Sequence, residues 1–262
     1  MKVAMTIAGS DPSGGAGLQA DLKTFQQHAV YGASVVTLLT VQNTVGVDDV
    51  QVLEPAFVRA QLGAVLSDIP PHAAKVGALG NASVVNEVAH AAASFSFPLV
   101  VDPVMISKHG APLLQEDGVR AMHHLVRHCA LVTPNVPEAE VLIGQPVRTL
   151  ADASGAAKAL ADKFETAVLL KGGHLSGDEA IDILVCDGSV TEHAAPRIPT
   201  TQTHGTGCTY SAAITARLAE GHGLIESVKL AKTWLTEAIR RAPGLGAGVG
   251  PLDHTVVPPH SP

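Results

Sequence analysis

Apolar runs of strand length alternate with segments of helical period along nearly the whole chain. The strand-length runs cover residues 3–7, 35–41, 74–76, 99–101, 131–133 and 168–171. Between them, apolar residues recur at helical spacing over 18–28, 56–67, 82–93, 119–127, 138–143 and 153–163. Alternation of this kind predicts a mostly parallel sheet with helices on both faces. The unbroken run Val35-Val36-Thr37-Leu38-Leu39 fits a strand covered on both sides. Towards the end the pattern changes. Residues 181–186 and 190–195 flank Asp187-Gly188, a hairpin signal. Two helices follow, over 208–219 and 225–241, and then a glycine- and proline-rich tail over 244–262, which reads as a loop with a frayed end. Residues 45–53 are the candidate for a small β flap.

In an open parallel sheet, ligands bind beyond the carboxyl ends of the strands. The residues expected there are Gly9-Ser10-Asp11, Gln42-Asn43, Lys75-Val76-Gly77, Asp102-Pro103, Thr133-Pro134-Asn135 and Lys171-Gly172-Gly173-His174. Polar and glycine residues thus collect at one edge, which marks it as the site. The run Thr203-His204-Gly205-Thr206-Gly207-Cys208-Thr209 opens an alanine-rich helix. Free backbone N–H groups at such a start form an anion site. The same positive end is expected to draw Cys208 towards thiolate. An anion site beside a base is what transfer of a phosphoryl group to a hydroxyl requires.

Composition narrows the partners. Nothing in the 262 residues resembles a linker or a low-complexity tract, so a single domain spanning 1–262 is expected. A net charge of −7 and 3% aromatic residues argue against a protein that coats nucleic acid. They leave room for a nucleotide substrate in a locally positive pocket. There is no signal-peptide layout and no apolar run of membrane-spanning length, and so no membrane partner is expected. Cys129, Cys186 and Cys208 form no CxxC pair, so neither a disulfide framework nor a zinc site is expected, and the expected setting is a reducing cytoplasm.

Other signals are weaker. Gly15-Ala16-Gly17-Leu18-Gln19-Ala20 has the form of a dinucleotide fingerprint. The acidic residue that should follow it is missing, because no Asp or Glu lies between Asp21 and Asp48. Gly9 to Gly14 has Walker A spacing, but Gly15-Ala16 replaces the Lys-Ser/Thr pair. His124 and His128 are four apart in a helical segment without a third ligand, which reads as two exposed histidines. Cys129 and Cys186 sit in apolar runs, where inert thiols are usual. Taken singly, Asp21, Glu138 and Lys171 could be an ordinary helix residue, a first-turn charge and a solvated strand end.

With these residues in hand, the chain resembles a ribokinase-superfamily enzyme, and more narrowly the bacterial hydroxymethylpyrimidine/phosphomethylpyrimidine kinases of thiamine synthesis. The resemblance runs over nearly the whole chain. It rests on the segment from Thr6 to Gly17, Gln19-Ala20-Asp21-Leu22-Lys23, Gln42-Asn43-Thr44, Asp102-Pro103-Val104-Met105, Thr133-Pro134-Asn135 with Glu138, Leu170-Lys171-Gly172-Gly173-His174, and His204-Gly205-Thr206-Gly207-Cys208. It implies a ribokinase-like α/β fold and two phosphorylations at one site, of a hydroxymethylpyrimidine and then of its monophosphate. Gly205, Thr206 and Gly207 would form the anion hole and Cys208 would be the general base. Asn135 and Glu138 match a motif that organises Mg²⁺, with Asp102 on the metal-phosphate side. Lys171, and less directly Lys108, would contact ATP phosphates. Gln42, Asp21 and the backbone at Gly9 would recognise the aminopyrimidine. A homodimer is also implied.

Two departures from the family pattern stand out. Ala78 replaces a frequent Met, which would widen the pocket wall. The segment from Gly244 to Pro251 carries Ala247 and Val249 where relatives often have histidines, so any nucleotide contact those histidines make is not expected here. The rival reading on the same fold is a pyridoxal or pyridoxine kinase, since that ring also offers a hydroxymethyl group. A non-catalytic pyrimidine sensor is the rival from another class, though it needs no metal motif, phosphate lysine and thiol base together.

Overall fold

The computed structural model describes residues 1–105, 110, 114 and 116–259 of the chain. Nine strands form one sheet in the order β3-β2-β1-β4-β5-β6-β7-β8-β9. Its centre is a run of parallel strands: β2 (Tyr31–Gln42), β1 (Val3–Ser10), β4 (Ala73–Val76), β5 (Leu99–Val101), β6 (Leu131–Val132) and β7 (Ala167–Leu170). Both edges turn antiparallel. β3 (Val47–Val52) pairs back on β2, and the hairpin β8 (Glu179–Cys186) and β9 (Ser189–Pro196) extends from β7.

Alternate residues of the central strands enter opposite cores, as the period of two requires. Met5, Ile7, Val76, Val101, Val132 and Val168 join one cluster with α2 (Pro55–Asp68), α3 (Ala82–Ala92), α4 (Glu116–Val126), α5 (Val136–Ile143) and α6 (Leu150–Phe164). Ala4, Ala73, Val100, Leu131 and Leu169 face α1 (Gly17–Gln27), α7 (Thr206–Glu220) and α8 (Leu224–Arg240) on the other side. The helices expected from the apolar period are therefore present and cover both faces.

The run through Leu39 departs from the expectation of two-sided burial. Leu39 and Val41 are exposed. Here β2 outruns β1, whose last paired residue is Ser10 opposite Leu39, and its final residues pair with β3 alone, outside the helical layers. The small β flap expected over 45–53 is thus an edge strand of the main sheet. The glycine-rich stretch 244–251 packs on the β2–β3 turn, where Val249 N–H donates to Thr44 O at 2.8 Å.

Beneath the sheet edge lies a fully buried ion pair. Lys75 on β4 reaches Asp21 on α1 at 2.7 Å, and both side chains are shut off from solvent. Thr6 Oγ1 donates to the same carboxylate at 2.6 Å. Breaking such a pair by removing one partner leaves a buried charge uncompensated. Lys75→Met should therefore destabilise the protein by about 3–5 kcal/mol in urea unfolding, whereas replacing Lys75 and Asp21 together by apolar residues should restore most of that loss.

Candidate active site

A cleft of about 940 Å³ opens over the carboxyl ends of the parallel strands. It brings together Gly9, Gln42, Asp102, Asn135, Glu138, Lys171, Gly205, Thr206, Gly207 and Cys208, all on its lining. Ala78 is on the wall, as the sequence leads one to expect. Lys108 lies outside the described residues. Asp21 does not reach the cleft. Its carboxylate is committed to Lys75 and Thr6 inside the protein, so the expected contact with a ligand is corrected to a buried structural pairing. No residue of 244–251 is part of the lining.

Gly205 is the N-cap of α7, with φ +76. A side chain there would collide with the carbonyl of Gly15, so the start of α7 rests directly on the turn that leads into α1. The glycines that resemble a dinucleotide fingerprint have their own reasons: a Cβ on Gly15 would run into the His204 ring, and Gly17 has φ +56 and would press a Cβ on the Gly9 carbonyl. At Gly207, in the first turn of α7, a Cβ would come 3.2 Å from Lys171 Nζ and 3.3 Å from Asp102 Oδ2. The helix start therefore presents bare backbone directly beside a cation and a carboxylate.

Lys171 follows β7 and donates to Asp102 Oδ1 at 2.7 Å. Burial alone would lower its pKa, but Asp102 and Glu138 beside it outweigh that and hold it above the ordinary lysine value. Asp102 Oδ1 also accepts from Thr133 Oγ1 at 3.3 Å, while its buried Oδ2 has no hydrogen-bond partner among the described residues. Asn135 and Glu138 form a reciprocal cap at the start of α5. Asn135 Oδ1 accepts from Glu138 N–H at 2.9 Å, and Glu138 Oε2 from Asn135 N–H at 2.8 Å. The motif is thus a helix cap by construction, held on the cleft wall. Burial, opposed by Lys171 and reinforced by Asp102, pushes the Glu138 carboxyl up to about 7. A buried orphan carboxylate oxygen beside a second carboxyl fits a hard divalent cation. No group of three His, Cys, Asp or Glu residues that could hold a metal occurs among the described residues, so such an ion would draw its other ligands from phosphate and water.

The thiol differs from expectation. Burial pushes Cys208 up to about 11. Asp21 and Asp102 add to that shift, against the Lys75 ammonium and the N–H of Gly17, which favour the anion. The positive helix start does not overcome desolvation and two nearby carboxylates. Cys208 therefore carries its proton at neutral pH in the free protein. Cys129, likewise, is pushed up by burial to about 12.

Two groups carry more of the site than the sequence suggests. Asp11 Oδ1 accepts from Ser13 N–H and Oγ at 2.9 and 2.7 Å, and Oδ2 from Ala16 N–H at 2.8 Å. His204 Nε2 lies 2.8 Å from the same Oδ2. Burial would raise this carboxyl, yet the hydrogen bonds of His204, Ser13 and Ala16, with the charge of His204, bring it down to about 2. The sequence signal for Asp11 is its place just before a Ser and a glycine turn. His204 has no signal beyond its place beside Gly205. At the far end of the cleft, Asp182 accepts from Lys232 Nζ at 2.7 Å and from Gly172 N–H at 3.0 Å, and Leu235 and Ile239 line the same cleft.

Solved structures share this arrangement of chain. A Bacillus subtilis pyridoxal kinase, solved as an ADP complex, superposes with a TM-score of 0.90 at 34% identity, over 97% of this chain and 98% of that one. A phosphomethylpyrimidine kinase from Clostridium difficile gives a TM-score of 0.81 at 40% identity, over 91% of this chain and 100% of that one. Fold and cleft together are those of a ribokinase-like small-molecule kinase. At the level of sequence, the Haemophilus influenzae hydroxymethylpyrimidine/phosphomethylpyrimidine kinase is 45% identical over 97% of each chain. The profile of the phosphomethylpyrimidine kinase family matches residues 11–253, and the chain belongs to that family.

The state of the thiol is directly measurable. Alkylation of Cys208 by iodoacetamide in the protein without ligands, followed by mass spectrometry, should keep rising with pH towards a midpoint of about 11. A rate that levels off at or below neutral pH would contradict the burial argument.

Proposed function

We propose that this chain transfers phosphate from ATP to the hydroxymethyl group of 4-amino-5-hydroxymethyl-2-methylpyrimidine, and then converts the monophosphate to the diphosphate, in thiamine synthesis. The observation that carries this reading is the convergence, in one cleft, of the N-terminus of α7, the Cys208 thiol and the Lys171–Asp102 pair. The family and the names of its relatives agree with it.

In this reading the backbone N–H groups of Gly205, Thr206 and Gly207 receive the charge that spreads over the transferred phosphoryl group. Lys171 contacts the ATP phosphates. Asp102 and Glu138, with Asn135 fixing the cap, would hold Mg²⁺, which offsets phosphate charge when bound. Lys232 and Asp182, with the apolar side chains near them, form the far wall on the nucleotide side. Gln42 and the backbone at Gly9 hold the ring so that its hydroxymethyl oxygen faces Cys208. Cys208 takes that proton. The groups that favour its anion are the Lys75 ammonium and the Gly17 N–H. A homodimer in a reducing cytoplasm belongs to the same reading.

The second reading is a pyridoxal kinase, favoured by the superposition on the Bacillus subtilis enzyme of that name. Incubation with Mg-ATP and either ring compound, with products followed by mass, separates the two. A mono- and then a diphosphate from the pyrimidine supports the first, and pyridoxal phosphate alone supports the second. If neither forms, both are wrong.

A raised thiol pKa sets a pH dependence. The base form of Cys208 grows about tenfold per pH unit below about 11, so kcat/KM for the first phosphorylation should climb from about pH 6 to about pH 9. Cys208→Ser should lower that step by about 10²-fold or more. The second acceptor is a phosphate already ionised near neutral pH, so its loss should be smaller. Equal losses in both steps would remove Cys208 from the role of base.

A further inference from the structure

Gln42 ends β2 and lines the cleft, and its terminal amide lies 3.1 Å from His204 Nε2. That nitrogen also lies 2.8 Å from Asp11 Oδ2. The chemistry of Asp11 settles which atom donates. Its carboxylate otherwise meets donors: Ser13 N–H, Ser13 Oγ–H and Ala16 N–H. A carboxylate held this way is an acceptor only, so His204 Nε2 must carry the proton and donate it. One imidazole nitrogen has one proton and, once protonated, no lone pair. An amide N–H of Gln42 therefore has nothing to donate to at that point, and the amide oxygen must be the atom that shares the His204 proton. Heavy-atom positions alone do not distinguish the two ends of an amide, whereas the partners do. The opposite end of the Gln42 amide has no protein partner among the described residues. It is an NH₂ group in the cleft.

We propose that Asp11 and His204 are positioning residues for substrate recognition, fixing the Gln42 amide with its oxygen on His204 and its NH₂ in the cleft, so that the site reads a hydrogen-bond acceptor, a ring nitrogen, on its substrate. This rests on Gln42 being a substrate contact, as argued above. The arrangement is preorganised. Asp11 is anchored by the turn into α1, and the His204 main chain is held by donation to Gly250 O at 3.0 Å. His204 is also wedged against Gly15 and Pro251, where a Cβ on Gly15 would come within 3.4 Å of its Nε2 and 3.1 Å of the Pro251 ring. The imidazole has little freedom to turn. An amide that could flip would accept either a ring nitrogen or a ring N–H. A locked one discriminates, because a buried donor facing a donor is left unpaired.

The test is a double-mutant cycle on pyrimidine kinetics with Gln42→Ala, His204→Leu and the double variant. Both single variants should raise the KM for the pyrimidine about tenfold or more, with the KM for ATP unchanged and kcat within a few-fold. The double variant should be no worse than Gln42→Ala, since His204 acts only through Gln42. The two analogues in which CH replaces one ring nitrogen extend the test. One of them should lose a similar factor in the wild-type protein and nothing further in the variants. Multiplied losses in the double variant, or a loss confined to kcat, overturn the inference and leave Gln42 as a substrate contact. An unmoved KM in Gln42→Ala overturns that contact itself, and the inference with it. Should His204→Leu not fold, Gln42→Glu serves in its place with Asp11 and His204 intact. It keeps an oxygen on His204 and puts a second oxygen in the cleft, so preference should shift towards a pyrimidinone that carries N–H on the ring. An unshifted preference rejects the proposal.

Discussion

The start of α7 lies against the turn that opens α1 so closely that a single Cβ on Gly205 would strike the Gly15 carbonyl. Much of the site follows from this contact between two stretches of backbone that are far apart in the chain. It sets the Gly17 N–H in the surroundings of the Cys208 sulfur. It also sets His204, one residue before the cap, beside Asp11 at the end of the edge Ala8-Gly9-Ser10-Asp11. The start of α7, the thiol and the end of the cleft near Gln42 thus share one support.

The charges of the site are arranged in two layers. Lys75 and Asp21 form a closed pair inside the protein. Lys171 and Asp102 form an open one on the cleft wall, with a carboxylate oxygen still unsatisfied among the described residues. The inner pair is a fixed background, while the outer pair can exchange partners when charged groups arrive. Cys208 lies in the field of both carboxylates and of Lys75. Its proton affinity therefore follows burial and the balance of nearby charges rather than the helix end alone.

Much of this is legible in the sequence. The alternation of strand and helix periods foretells both helical layers, and the polar residues after each strand mark the edge where the cleft opens. The helix starts at Gly205 and Asn135 can be read because a cap is set by near neighbours, whereas the packing of Gly205 on Gly15 cannot. Asp21 misleads because a helix residue shows its spacing in the sequence but not which way the fold turns it. The thiol misleads for a related reason. A helix start is visible in a sequence, whereas the burial and the carboxylates that outweigh it come from elements far away in the chain. His204 is silent because its partners, Asp11 and Gln42, are 193 and 162 residues distant.

The same distances bear on how the protein comes into being. Pro251 bridges to His204, Gly250 accepts its N–H, and Val249 ties to Thr44, close to Gln42 in the chain. The end of the cleft near Gln42 and His204 is therefore stitched by a segment made long after β1 and β2. On a ribosome, the early strands can pair while this stitch is still unsynthesised, so a nascent chain holds an unfinished pocket until that segment has emerged. Such long-range closure is also the slow part of folding, which makes completion of the pocket a late event in the life of each molecule.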